Sequence, residues 1–142
     1  MKKVLFLTRS YYPNIGGVEK HIWFVSKQLI KKGYELHLVT SRPGAIEKDT
    51  KTWIENHFPG KFKNLHHAYN SHIHKPGSKK LKWEICKEIG AEILIDDFLT
   101  NALSCAENGI SVFLMDNPWN QTEDLPANVI RVKSWKEILA KL

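Results

Sequence analysis

The chain has 142 residues, about the length of one domain, which excludes a two-domain enzyme within it. With 42% hydrophobic and 25% charged residues it can bury roughly two-thirds of its unfolded surface and should fold around a real core. Its 21 Lys and Arg against 15 Asp and Glu leave a formal charge of +6, which favours anionic partners, but the basic residues are scattered rather than blocked, so phosphorylated small molecules fit better than nucleic acid.

The longest apolar stretches, such as Val4-Leu5-Phe6-Leu7, fall far short of the ~20 residues that span a bilayer, and no signal peptide or membrane anchor is expected. The two cysteines, Cys86 and Cys105, fall on the apolar side of predicted helices, as reduced thiols of a cytoplasmic protein would.

Short apolar runs alternate with longer amphipathic ones, the pattern of βαβ units in a parallel sheet covered on both faces. Strands are predicted near Lys3–Leu7, Glu35–Val39, Asn64–Ala68, Glu92–Ile95 and Val112–Met115. Between the first two, Val18 to Lys32 places Ile22, Val25, Leu29 and Ile30 at helical spacing, and Gly33 stops the helix. After the turn at Ser41-Arg42-Pro43-Gly44, a helix is predicted from Ile46 to His57, ended by Pro59-Gly60. Further helices are predicted from about Lys80 to Ile89, ending at Gly90, and from about Thr100 to Asn108, ending at Gly109. Ser134-Trp135-Lys136-Glu137 has the spacing of a capping box and opens a last short helix. The stretches Asn70–Ser78 and Asp116–Ala127 read as irregular.

Ligands of open parallel α/β sheets bind beyond the carboxyl ends of the strands. The residues expected there are Thr8-Arg9-Ser10, Thr40-Ser41-Arg42, Tyr69-Asn70, Asp96-Asp97 and Asp116-Asn117, a set suited to a phosphate and a divalent cation. Asp96-Asp97 is the sharpest feature, because adjacent carboxylates at the end of an apolar strand need a compensating cation, unless one of them caps the following helix. Thr40 and Ser41 either cradle an anion or form a plain turn. Lys79, Lys80 and Lys82 open a helix where positive charge opposes the dipole, a placement that points either to a ligand or to solvated lysines. Gly16-Gly17 would let the backbone approach a ligand at a helix N-terminus, or serve only as the entry turn, and it lacks the G-x-G-x-x-G spacing. His66-His67, His72 and His74 have no cysteine or carboxylate close in sequence to complete a zinc site.

Two resemblances meet in the chain. From about Leu29 onward, Lys31-Lys32-Gly33-Tyr34-Glu35-Leu36-His37-Leu38-Val39-Thr40-Ser41-Arg42-Pro43, Trp53-Ile54-Glu55-Asn56-His57-Phe58-Pro59-Gly60, Ile93-Leu94-Ile95-Asp96-Asp97 and Asn117-Pro118-Trp119-Asn120 resemble the haloacid dehalogenase (HAD) superfamily, in its 5'(3')-deoxyribonucleotidase-like branch. The resemblance implies a Rossmann-like, three-layer α/β sandwich with a mainly parallel five-stranded sheet, here a single domain without a cap. It also implies that Thr40, with Ser41 beside it, and Lys82 bind phosphate, and that Asp96 and Asp97 hold Mg²⁺. The family's nucleophile lies in an Asp-x-Asp motif at the end of the first strand. None of the five aspartates here, Asp49, Asp96, Asp97, Asp116 and Asp124, stands two from another, and Thr8-Arg9-Ser10 occupies the expected place. A threonine cannot form the aspartyl-phosphate, so turnover by that route is not expected.

The first 30 or so residues, through Val4-Leu5-Phe6-Leu7-Thr8-Arg9-Ser10-Tyr11-Tyr12-Pro13-Asn14-Ile15-Gly16-Gly17-Val18-Glu19-Lys20-His21, are similar to the N-terminal segment of family 4 glycosyltransferases of the GT-B fold. Both families supply a strand, a crossover helix and a second strand, so a junction at the shared helix preserves the fold. The expectation is thus a nucleotidase-like, phosphate- or nucleotide-binding protein with a residual Mg²⁺ site, an oligomer or not, and little hydrolase activity. The competing expectation is a glycosyltransferase-related module that needs a partner chain.

Overall fold

The computed structural model describes residues 3–7, 17–40, 52, 55–56, 59–68, 77 and 79–142, with only the backbone described for 3–7, 17–23, 40 and 67. The elements are β1 (Lys3–Leu7), α1 (Gly17–Lys31), β2 (Glu35–Thr40), β3 (Leu65–His67), α2 (Lys82–Ile89), β4 (Ala91–Asp96), α3 (Leu99–Glu107), β5 (Ser111–Met115), a 3₁₀ turn (Pro118–Asn120), β6 (Val129–Val132) and α4 (Trp135–Lys141). The expected helix from Ile46 to His57 lies mostly outside the described residues.

The six strands among the described residues run parallel in one sheet of order β3-β2-β1-β4-β5-β6, so β1 lies in the middle and the later strands are added outward on both sides. The sequence predicts five strands; β6 is the sixth. Strand residues alternate between two cores, as the period of two requires. Leu36, Leu38, Ile93, Ile95 and Phe113 pack with Val25 and Leu29 of α1 and Ile138 of α4. Val39, Leu94, Val112 and Leu114 pack on the opposite face with Ile85 and Cys86 of α2 and Ala102, Cys105 and Ala106 of α3. Helices thus cover both faces, the three-layer arrangement that buries an all-parallel sheet.

Small residues on α3 let it lie close to the sheet, and both cysteines are fully buried as free thiols. Gly90 ends α2 in the left-handed conformation (φ 75°, ψ 28°), its amide donating to the last turn, and this reversal feeds β4 directly. Ser134 caps α4 by accepting the Glu137 amide at 3.2 Å. The return half of the capping box is shifted by one residue, because the Glu137 carboxylate takes the amide of Lys133 rather than that of Ser134. No helix among the described residues is long and apolar enough to cross a membrane.

Candidate functional site

The topology sets the site. Phe6 pairs with Ile95 and Leu7 with Val39, so β1 ends level with Asp96 on one side and Thr40 on the other. Two interstrand spacings, roughly 10 Å, separate the backbones of Thr40 and Asp96 across the end of β1. Each crossover helix runs back against the strands, so α1, α2 and α3 all begin at this edge and turn the positive ends of their dipoles toward it.

Lys82 is the first residue of α2, and its ammonium donates to Asp96 Oδ2 at 2.8 Å. Their side chains are 4% and 0% exposed. The other carboxylate oxygen, Oδ1, accepts the amides of Asp97 (2.7 Å) and Phe98 (3.1 Å). Asp96 therefore holds the β4–α3 turn from its inner side, while Phe98, which has no side-chain capping bond, occupies the N-cap of α3. The alternative of an aspartate at the N-cap is thereby replaced by an aspartate two residues earlier. An ammonium carries three donors, and Asp96 is the partner of Lys82 among the described residues.

The opposition of Lys79, Lys80 and Lys82 to the helix dipole is resolved differently for each residue. Lys82 is neutralised by Asp96, Lys80 is paired on the surface with Glu88, and Lys79 is exposed. The Lys80 hydrogen bond and charge hold the Glu88 carboxyl below its ordinary range. The Leu81 amide donates to Glu84 at 3.0 Å and secures the start of α2.

A second polar layer lies beside this pair, built from the Asp116-Asn117 and Asn117-Pro118-Trp119-Asn120 residues of the sequence reading together with Arg131, which that reading does not single out. Asn120 is fully buried, and its amide nitrogen donates to the carbonyls of Asp97 (2.8 Å) and Met115 (2.6 Å). Its side-chain oxygen accepts from Arg131 of β6 (2.8 Å) and from the Asn117 amide (3.1 Å). Arg131 also donates to the Asn120 carbonyl and, at 2.9 Å, to Asp116. The hydrogen bond from Gln121, then that from Arg131, holds the Asp116 carboxyl below its ordinary range. The indole N–H of Trp119 donates to the Asp97 carbonyl at 3.0 Å while the residue stays 51% exposed. The signal for this layer is the Asn117-Pro118-Trp119-Asn120 run, whose buried asparagine ties the ends of β4, β5 and β6 together.

A magnesium site needs several oxygen ligands free to converge. Asp96 is enclosed and committed to Lys82 and two amides, Asp116 is paired with Arg131, and no group of three or more His, Cys, Asp or Glu side chains among the described residues could hold a metal. The described residues do not fit a Mg²⁺ centre on Asp96 and Asp97, and no step is routed through one. Of the other candidates, Thr40 has its backbone at the end of β2 and Gly17 opens α1. Gly16, Ser41 and Thr8-Arg9-Ser10 lie outside the described residues, as do His72 and His74. His66 lies on β3 with its ring nitrogen 3.1 Å from that of His37.

No family model matches the chain. Among curated proteins it is 35% identical over 111 residues to "Putative nucleotidase BH1399" of Halalkalibacterium halodurans, covering 78% of this chain and 51% of that protein. The chain thus spans about half the length of the curated relative it matches. Among solved structures, the core domain of a putative phosphoglycolate phosphatase from Streptococcus pneumoniae superposes with a TM-score of 0.60 at 12% identity, over 99% of this chain and 93% of that one. A putative phosphoglycolate phosphatase from Lactobacillus delbrueckii gives 0.58 at 18% identity, over 83% of this chain and 50% of that one. None of the three supports the glycosyltransferase resemblance of the first 30 or so residues. The six-stranded parallel sheet and the two structural likenesses show that the chain shares the α/β fold of those solved domains.

Proposed function

We propose that the chain binds the phosphate of a small phosphorylated molecule or nucleotide at the end of β1, between Thr40 and Ser41 on one side and Lys82 on the other. In this reading it does not hydrolyse the ester through an aspartyl-phosphate. The observation that carries the reading is the buried Lys82–Asp96 pair. Enclosing two opposite charges costs more than an apolar pair of the same shape, and a need for a fixed cation at this edge is the reading that accounts for it here. Here it sits at the strand ends where ligands of parallel sheets bind, among three helix N-termini that favour an anion.

In this reading Asp96 is a positioning residue that aims the Lys82 ammonium, and the glycine turn at Gly16-Gly17 supplies backbone donors. Thr40 and Ser41 supply hydroxyls. The attacking carboxylate is what this chain lacks, since no Asp-x-Asp occurs in it. The name of the curated relative, a nucleotidase, is the further support for a nucleotide as ligand. Incubation with deoxyribonucleoside monophosphates and Mg²⁺ tests the reading. Binding without phosphate release is expected, and release at ~1 s⁻¹ or faster, an ordinary enzymatic rate, would overturn it.

A further inference from the structure

Among the described residues, Trp119 is a large aromatic that is both exposed and held by a hydrogen bond. An exposed tryptophan on a surface loop ordinarily samples several rotamers, and ordering it for a ligand costs rotamer freedom. Here the ring edge is tied to the Asp97 carbonyl at 3.0 Å, while half of the residue remains open to solvent. The loop beneath is fixed as well, because Pro118 and Asn120 flank Trp119 in the 3₁₀ turn and Asn120 is bonded to Asp97, Met115 and Arg131. The carbonyl that takes the indole belongs to the residue after Asp96, about 3.8 Å further along the backbone. Phe98, 51% exposed, follows immediately. The one rigidly held, solvent-facing indole described here therefore stands next to the buried cation pair, at the ligand-binding edge of the sheet.

We propose that Trp119 is a stacking platform for the aromatic base of a nucleoside monophosphate whose phosphate is directed toward Lys82. The inference deepens the phosphate-binding reading and rests on it for the placement of the phosphate. The base itself would be recognised by its π-face, without hydrogen-bond readout, so purines and pyrimidines would both be accepted.

The test measures the affinity of the full chain by calorimetry for three probes: deoxyadenosine monophosphate, deoxyribose 5-phosphate and deoxyadenosine. Wild type should bind the nucleotide roughly tenfold or more tighter than the sugar phosphate, as loss of one base–aromatic stack implies. Trp119→Ala should abolish that ratio while leaving the sugar phosphate affinity unchanged, and Trp119→Phe, which keeps a ring but loses the N–H, should preserve most of it. Unchanged melting temperatures in both variants separate loss of stacking from loss of fold. A ratio near one in wild type, or a ratio that survives Trp119→Ala, overturns the platform. Deoxyadenosine separates the two readings: binding that needs Trp119, with no binding of deoxyribose 5-phosphate, would uphold the platform and remove the phosphate site. No binding of any probe would overturn both.

Discussion

The Lys82 ammonium and the Asp96 carboxylate meet at 2.8 Å with both side chains enclosed, joining the first residue of one helix to the last residue of the strand that follows it. Removing one partner strands a buried charge, whereas removing both removes the problem. Lys82→Met and Asp96→Leu should each lower the unfolding free energy by about 3–5 kcal/mol, while the double variant should recover most of that loss. Urea unfolding midpoints at unchanged slope measure this. Additive losses in the double variant would show that the two charges are not coupled.

Asn120 is the hub of the neighbouring layer, with donors on Asp97 and Met115 and an acceptor facing Arg131 and the Asn117 amide. Asn120→Ala removes these four hydrogen bonds from a buried setting and should cost about 2–4 kcal/mol, toward the upper end for a single substitution. Thermal unfolding checks the magnitude. A loss below about 0.5 kcal/mol, typical of a surface change, would mean that water replaces the asparagine without penalty.

Asp116 carries the acid-sensitive part of the same layer. Its carboxyl is held below the ordinary range by Gln121 and then by Arg131. A depressed folded-state value stabilises the protein above the unfolded carboxylate pKa, about 3.9, and that contribution disappears as pH falls through the lower folded value. Carbon-13 NMR titration of the Asp116 carboxyl should give a midpoint below the ordinary value, and Gln121→Ala and Arg131→Met should each move it upward. A midpoint unmoved by either substitution contradicts the assignment of cause.

The two thiols are enclosed between α2 and α3, and the hydrogen bond that the Cys105 thiol makes to Cys86, together with burial, pushes that thiol far above its usual range. Both thiols are enclosed, so neither cysteine should react with a disulfide reagent such as dithiobisnitrobenzoate in the native state. Two thiols per chain should appear on unfolding in guanidinium. Fast native-state labelling would show that the helix pair opens.

Most of the sheet was legible because a central parallel strand announces itself. Val4-Leu5-Phe6-Leu7 and Ile93-Leu94-Ile95 are continuous apolar runs, and Gly33, Gly90 and Gly109, all at positive φ, mark where helices stop. β6 was missed for a physical reason. It has four residues, its Val129 serves one core and its Val132 the other, and Ile130 and Arg131 lie between them, so neither an alternating nor a continuous apolar pattern appears. At the site, Asp96 and Lys82 were each recognisable, but not their pairing, because residues 14 apart meet only once α2 has folded back along β4. The committed state of Asp96 follows from that pairing, and with it the disagreement with a metal on Asp96 and Asp97. Asn120 and Arg131 gave no signal in isolation, since a buried asparagine is recognised by its partners on three strand ends.

The central claim places a phosphate beside Lys82 at the end of β1, and a crystal soaked with deoxyadenosine monophosphate measures it most directly. The account predicts phosphate density within hydrogen-bond distance, about 2.7–3.2 Å, of the Lys82 Nζ, with the Lys82–Asp96 contact intact. Phosphate bound elsewhere on the surface, with Lys82 still enclosed and touching only Asp96, would contradict it.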